Sequence, residues 1–316
     1  MSSVSRSNVS VELQYQEFVE VVTSFTLCTI ISCVFLFING TMLFTLRSKS
    51  VFRETCRYIL LFNLLLADTV QLSLSMALFL LVVCRIKLTY PLCGSMTSLS
   101  NLTNVISPLT LMMMSLERCV AVCLPLRHAV IITIANIRMA IVALWVLSSL
   151  HNFTRIALLL DFPFEDLETL QMESFCSDFA MLLGPNSKDY DNAFTGFLFV
   201  SAGLIVISSY VCVIIAARSA SEDKSSALKA RNTLLLHLVQ MCLSLSSTVY
   251  NPIIGPISKI IARVEFNRLQ RFLYIVIIIS PRCLSSLIYG LRDQTIRPVL
   301  LQNLCCRVKD VSARRC

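Results

Sequence analysis

Seven stretches of this chain run for twenty residues or more with almost no charge, at 21–46, 58–84, 88–116, 139–160, 192–217, 232–258 and 272–291. Interruptions are few: Asp68 in the second, Arg155 near one end of the fourth, His237 in the sixth and Arg282 in the seventh. A helix needs about 20 predominantly apolar residues to cross the hydrocarbon core of a bilayer. It is also the only open-ended segment whose backbone satisfies itself in lipid. The pattern predicts an all-α membrane protein, a bundle of seven transmembrane helices over 21–291. Polar residues 1–20 form a tail before it. Residues 292–316 form a second tail, opening with a short amphipathic helix over 293–304. No basic stretch leads into the first apolar run, so no cleavable leader is expected and the first span acts as signal anchor.

Composition agrees with the pattern. Of 316 residues, 56% are hydrophobic and 15% charged, with a mean hydropathy of +0.74. Soluble domains lie near ~45–50% and ~25%. The 14 cysteines are scattered, mostly within apolar runs, which argues against a dense disulfide scaffold. The three histidines, His128, His151 and His237, make no ligand-spaced cluster, so neither metal nor cofactor is expected. Nothing suggests a nucleic-acid partner.

The two sides of the bilayer are told apart by Lys and Arg in short loops. One side collects Arg47, Lys49, Arg53, Arg57, Arg118, Arg127, Arg138, Arg218, Lys224, Lys229 and Arg231, with six more in the C-terminal tail. The loop at 161–191 is acidic, with one Lys188 against Asp161, Glu165, Asp166, Glu168, Glu173, Asp178, Asp189 and Asp191. The loop before the last span, with Lys259, Arg263, Arg268 and Arg271, runs against the bias. The balance favours an outer N-terminus and a cytoplasmic C-terminus. Asn8-Val9-Ser10 is then a glycosylation site on the outer side.

Ionisable groups inside a span are costly and so mark function. Asp68 needs a partner or a proton. Arg282 lies at a similar depth on the seventh span, two turns before Tyr289 and on the same face. A buried Asp68–Arg282 ion pair is expected. Asn39 lies at a comparable depth in the first span, where it either joins helices by hydrogen bonds or belongs to a switching network. Cys93 and Arg118 are 25 residues apart, a little under ~40 Å along a helix, so they mark opposite ends of the third span. Cys176 in the acidic loop is the natural disulfide partner of Cys93, with Cys84 as the competitor.

Several segments taken together are similar to the rhodopsin-like G-protein-coupled receptors, and specifically to vertebrate odorant receptors, most of all those of fish. Leu64-Leu65-Leu66-Ala67-Asp68 resembles the family's leucine-rich aspartate motif. Met114-Ser115-Leu116-Glu117-Arg118-Cys119-Val120-Ala121-Val122 resembles its MxxDRYVAI stretch, with Glu for Asp and Cys for Tyr. Trp145 and Ser209-Tyr210 resemble marks of the fourth and fifth spans. Lys229-Ala230-Arg231-Asn232-Thr233 with His237-Leu238 resembles a segment peculiar to odorant receptors. Pro281-Arg282-Cys283-Leu284-Ser285-Ser286-Leu287-Ile288-Tyr289 resembles the seventh-span motif, but with serines at 285 and 286 for the usual Asn and Pro. The tryptophan–proline switch of amine receptors is absent from the sixth span.

The resemblance implies a small-molecule odorant bound in the outer half of the bundle. It also implies a heterotrimeric G protein of the olfactory stimulatory type at the cytoplasmic mouth. Arg118 would pair with Glu117 at rest and turn to Tyr210 and the G protein on activation, while Tyr289 closes the inner network and Lys229 and His237 complete the coupling surface. Asp68 and Arg282 would occupy the place where many relatives hold a sodium ion. Arg127, Arg218, Lys229 and Arg231 suit either anionic membrane lipid or the G protein. Cys305 and Cys306 are palmitoylation candidates.

Ser100, Asn101 and Asn104 on the third span, with Phe194, Leu198, Thr248 and Ile275, are the candidate pocket, and helix packing would explain each equally well. No carboxylate precedes Glu117 in the third span, so a salt-bridged amine is not expected there. A receptor for a non-odorant ligand, such as a peptide, shares every inner motif. A transporter would need inverted repeats or paired broken helices, and none is visible. An enzyme would need a nucleophile–base constellation, and Glu117 and Arg118 have no histidine beside them in the sequence.

Overall fold

A computed structural model describes residues 2–161, 170–172, 175–219, 235, 238–293 and 295–303. The helices are α1 (Ser2–Ser48), α2 (Ser50–Glu54), α3 (Cys56–Val83), α4 (Tyr90–Cys123), α5 (Pro125–Ile131) and α6 (Ile134–Leu160). After them come α7 (Gly184–Ser219), α8 (Leu238–Thr248), α9 (Tyr250–Ile260), α10 (Arg263–Leu273), α11 (Ser280–Arg292) and α12 (296–303). Among the described residues, six runs are long and apolar enough to cross a membrane: Val19–Ser48, α3, α4, α6, Gly184–Ile215 and Arg268–Gly290. Together α8 and α9 make the crossing between the last two, the sixth in chain order. Helix α1 begins at Ser2, so helical backbone continues upstream of the first apolar span.

Polarity is inverted relative to a water-soluble core. The outward row of α6 is Val142, Val146, Leu150 and Phe153, each more than 60% exposed. Asn39, Asn63, Asp68, Gln71, Ser107, Thr110 and Arg282 are buried. Lipid is as apolar as leucine, so burying leucine gains little there, while polar groups gain most by meeting one another inside. Helix α4 is the axis of the bundle: 61% of its apolar window is buried, against 17% for α6. Around it, Asn63 Nδ2 donates to Thr110 Oγ1 at 2.9 Å and Trp145 Nε1 donates to Asn63 Oδ1 at 2.9 Å, tying α3, α4 and α6 together.

Two interruptions have identifiable causes. Between α8 and α9 the backbone leaves the helix at Val249. Pro252 follows three residues later; its ring would collide with the carbonyl of Thr248, and it has no N–H to donate. Between α10 and α11, residues Tyr274–Ile279 form a π-turn, with the Ser280 N–H reaching back to the Ile275 carbonyl. This wider turn precedes Pro281, whose ring could not fit behind a regular turn. The irregular turn of the seventh crossing therefore lies upstream of the serines at 285 and 286.

After α11, Asp293 Oδ1 accepts from the backbone N–H of Thr295 at 2.9 Å and of Ile296 at 3.2 Å, capping α12. Helix α12 buries Ile296 and Leu300, and Asn303 Nδ2 donates to Thr45 Oγ1 of α1 at 2.8 Å. Gly290 lets the two helices pack closely: a Cβ there would meet Leu300 Cδ2 at 2.8 Å, so the end of that side chain would have to move.

Candidate functional site

Polar side chains gather at three levels along α4. At its N-terminal end, Cys93 and Cys176 are disulfide-bonded, with Cα atoms 5.6 Å apart, and Cys84 is free and exposed. The bridge, with an antiparallel pairing of Thr89 and Gln171, holds the returning loop across the end of the bundle. Two residues beyond the bridge, Asp178 enters the bundle. Its Oδ1 accepts from Asn101 Nδ2 at 2.5 Å and Arg155 Nη2 at 2.9 Å, and its Oδ2 accepts from Asn251 Nδ2. Arg155 Nη1 also lies 3.4 Å from Asp191 Oδ1. One loop carboxylate thus ties α4, α6 and α9 together. Beside it a cavity of about 20 Å³ is lined by Thr97, Asn101, Asn152, Arg155, Asp178 and Ser187. On the α7 side, His151 stacks on Phe194 with ring centroids 3.6 Å apart, and its Nδ1 is 3.2 Å from the Tyr190 hydroxyl.

In the middle, Arg282 Nη1 donates to Asp68 Oδ1 at 2.8 Å, and both side chains are 2% exposed or less. Arg282 Nη2 donates to Asn104 Oδ1 at 2.5 Å and to Ser247 Oγ at 3.0 Å. Ser107 Oγ donates to Asp68 Oδ1 at 2.7 Å. The ion pair therefore draws in the second, third, sixth and seventh spans. Gln240 Nε2 donates to Ser285 Oγ one level below. Both side-chain polar atoms of Asn39 are buried without a hydrogen-bond partner among the described residues.

At the C-terminal end of α4, Arg118 Nε lies 3.3 Å from Glu117 Oε2. His128 of α5 brings its Nε2 to 3.8 Å from Glu117 Oε1. The expectation that no histidine stands near this doublet is corrected: the turn at Leu124, with Pro125 opening α5, folds a residue eleven positions on back over Glu117. An adjacent ion pair, Arg57 with Asp293 at 3.2 Å, joins α3 to the end of the seventh span. Tyr58 donates to the same Asp293 carboxylate at 3.3 Å. Tyr289 is buried and Tyr210 half-buried.

Residues 38–277 match the rhodopsin family of seven-transmembrane receptors. This chain belongs to that family. The receptor is 30% identical to odorant receptor 131-2 of Danio rerio over 262 residues, 83% of this chain and 79% of that protein. It is 24% identical to human olfactory receptor 4K2 over 193 residues, 59% of this chain and 58% of that one. As a rhodopsin-family member it is a multi-pass membrane protein and a signalling receptor, not an enzyme.

The receptor brings some of its expected site residues together and disperses others. Cys93 meets Cys176, Asp68 meets Arg282, and Glu117 meets Arg118. The candidate pocket residues have different surroundings. Asn101 lines the small cavity at the loop. Ser100 is hydrogen-bonded to Gln71, Asn104 to Arg282, and Thr248 to the Leu245 carbonyl. Leu198 is core, Phe194 covers His151, and Ile275 packs beside Ile279 and Phe79. Lys229, His237, Cys305 and Cys306 lie outside the described residues, and Asn8 is described only as helical backbone. Arg155, Asp178 and Asn251 were not singled out as a site from sequence. A lone arginine within an apolar span was the available signal.

Proposed function

We propose that this receptor detects a small-molecule odorant on its outer, disulfide-bonded side and activates a heterotrimeric G protein of the stimulatory olfactory type from the opposite face. The observation that carries the reading is the Glu117–Arg118 pair, held at the end of α4 remote from the Cys93–Cys176 bridge. Its relatives' names, odorant and olfactory receptor, point to the ligand class. The basic bias of the loops next to Arg118 supports a cytoplasmic position for that end. In this orientation Asn8 is a glycosylation candidate, and Cys305 and Cys306, following the seventh span in the sequence, are palmitoylation candidates.

The ligand acts by differential affinity for two states. In the outer half it meets Asn101, the Asp178–Arg155 cluster and the Phe194–His151 stack, with Ser100, Asn104, Leu198, Thr248 and Ile275 as deeper walls. The break at Val249 is the hinge about which the inner part of the sixth span, α8, swings. Arg118 then leaves Glu117 for Tyr210 and the G protein, while Tyr289 stabilises the rearranged mouth. Arg127, Arg218, Lys229 and Arg231 supply positive charge suited to anionic lipid headgroups or to the G protein, and His237 is assigned with Lys229 to the coupling surface.

The test is expression with a stimulatory olfactory G protein, reading cyclic AMP over a panel of water-soluble odorants. An active odorant is expected, and Arg118→Ala should abolish its response with surface labelling unchanged. An undiminished response in that variant would remove the basis of this reading. A peptide agonist with no active odorant would replace the ligand class only.

A further inference from the structure

Around the Arg118 end, three thiols that the signalling scheme does not use come together. Cys119 and Cys123 are one helical turn apart on α4, with sulfurs 4.0 Å apart. Cys212 of α7 brings its sulfur into the same group, and all three lie within 4.8 Å of one another. Cys119 and Cys123 are half-buried, and Cys212 is exposed. Three sulfurs bound at about 2.3 Å to one ion stand roughly 3.8–4.0 Å apart, so the sulfurs need to close by less than an ångström. No other group of three His, Cys, Asp or Glu among the described residues meets this geometry.

We infer that Cys119, Cys123 and Cys212 form a binding site for a soft metal cation of the zinc(II) or copper(I) class, bridging the third and fifth spans beside Arg118. Thiolate ligands select these ions over hard ones. The inference rests on the orientation proposed above in one respect: a cytosolic position keeps the thiols reduced and ready to bind rather than oxidised to disulfide. Binding is a proton-for-metal exchange. Each thiol gives its proton to water, three metal–sulfur bonds form, and no electron is transferred. A zinc ion with three thiolates carries a net charge of minus one, and a copper(I) ion minus two. Either adds negative charge one residue from Arg118, reinforces the counter-charge of Glu117 and joins α4 to α7. The loaded site therefore holds the receptor at rest.

The experiment uses the purified full chain in detergent under reducing conditions, with tail cysteines 305, 306 and 316 replaced by serine in every sample. Cobalt(II) is the spectroscopic probe. One equivalent should give a thiolate-to-metal charge-transfer band that zinc(II) bleaches. Cys212→Ser should weaken binding by more than the roughly 10–100-fold typical of an outer-shell partner, and Cys242→Ser should not change it. In the chain with all three site cysteines intact, zinc(II) should protect them from alkylation, read by peptide mass spectrometry, and raise Tm. This last arm does not depend on any site variant folding. Absence of the band, its persistence at full strength in Cys212→Ser, or protection of other cysteines instead would overturn the inference. Because binding is measured without a ligand or a G protein, a negative result here leaves the odorant reading intact, and the reverse also holds.

Discussion

With its side chain 2% exposed, Arg282 has exchanged water for three oxygen acceptors on Asp68, Asn104 and Ser247. Desolvating two charges is expensive, and removing one partner from such a pair costs about 3–5 kcal/mol because the other is left uncompensated. Replacing both with neutral groups removes the stranded charge. Arg282→Met should therefore lose most of its surface expression by flow cytometry, and adding Asp68→Asn should restore a substantial part. A double variant no better than the worse single one would mean that the pair does not carry this load. The pair was legible in the sequence because each partner is an ionisable residue isolated in an apolar span, and helix rise alone places them at similar depths. Asp178 was not legible as a site residue. It is one of eight acidic residues in its loop, and its partners Asn101 and Asn251 lie 77 and 73 positions away. Only the path of the loop after Cys176 selects it. The thiol group was hidden for a related reason: Cys119 and Cys123 are visibly one turn apart, but which face of α7 turns toward them depends on packing.

Helices were the most legible level, since period and length decide them in lipid. The irregularities within them were less so. Serines stand at 285 and 286 for the usual asparagine and proline, and the irregular backbone of the seventh crossing lies instead at the π-turn over Tyr274–Ile279, ahead of Pro281. In the sixth crossing the break at Val249 comes from Pro252 acting on the carbonyl of Thr248, without a tryptophan. An interior proline disfavours a helix by about 3 kcal/mol. Pro252→Ala should allow α8 and α9 to join as one helix. The expected result is a higher Tm in detergent with a smaller maximal cyclic AMP response to the same odorant. An unchanged maximum would show that the Val249 break is not the hinge. His128 carries a further lesson: two helices joined by a one-residue turn at Leu124 bring together residues that no helical period relates.

At the scale of the whole receptor, the bundle is organised around α4, which contributes to all three polar levels: Cys93 and Asn101, Asn104 and Ser107, then Glu117 and Arg118. By the resemblance drawn from the sequence, the middle level would occupy the place where many relatives hold a sodium ion. Here the positive charge is part of the polypeptide. A dissolved ion comes and goes with its concentration, but a guanidinium on the seventh span is present at full occupancy in any water the cell meets. The set point of this sensor should therefore not drift with salinity. Replacing sodium chloride by choline chloride at equal ionic strength should leave the odorant dose–response curve where it was, and a displaced midpoint would count against the substitution. A detector whose gain is fixed by its own side chain can compare faint chemical traces across media of very different salt content without recalibration.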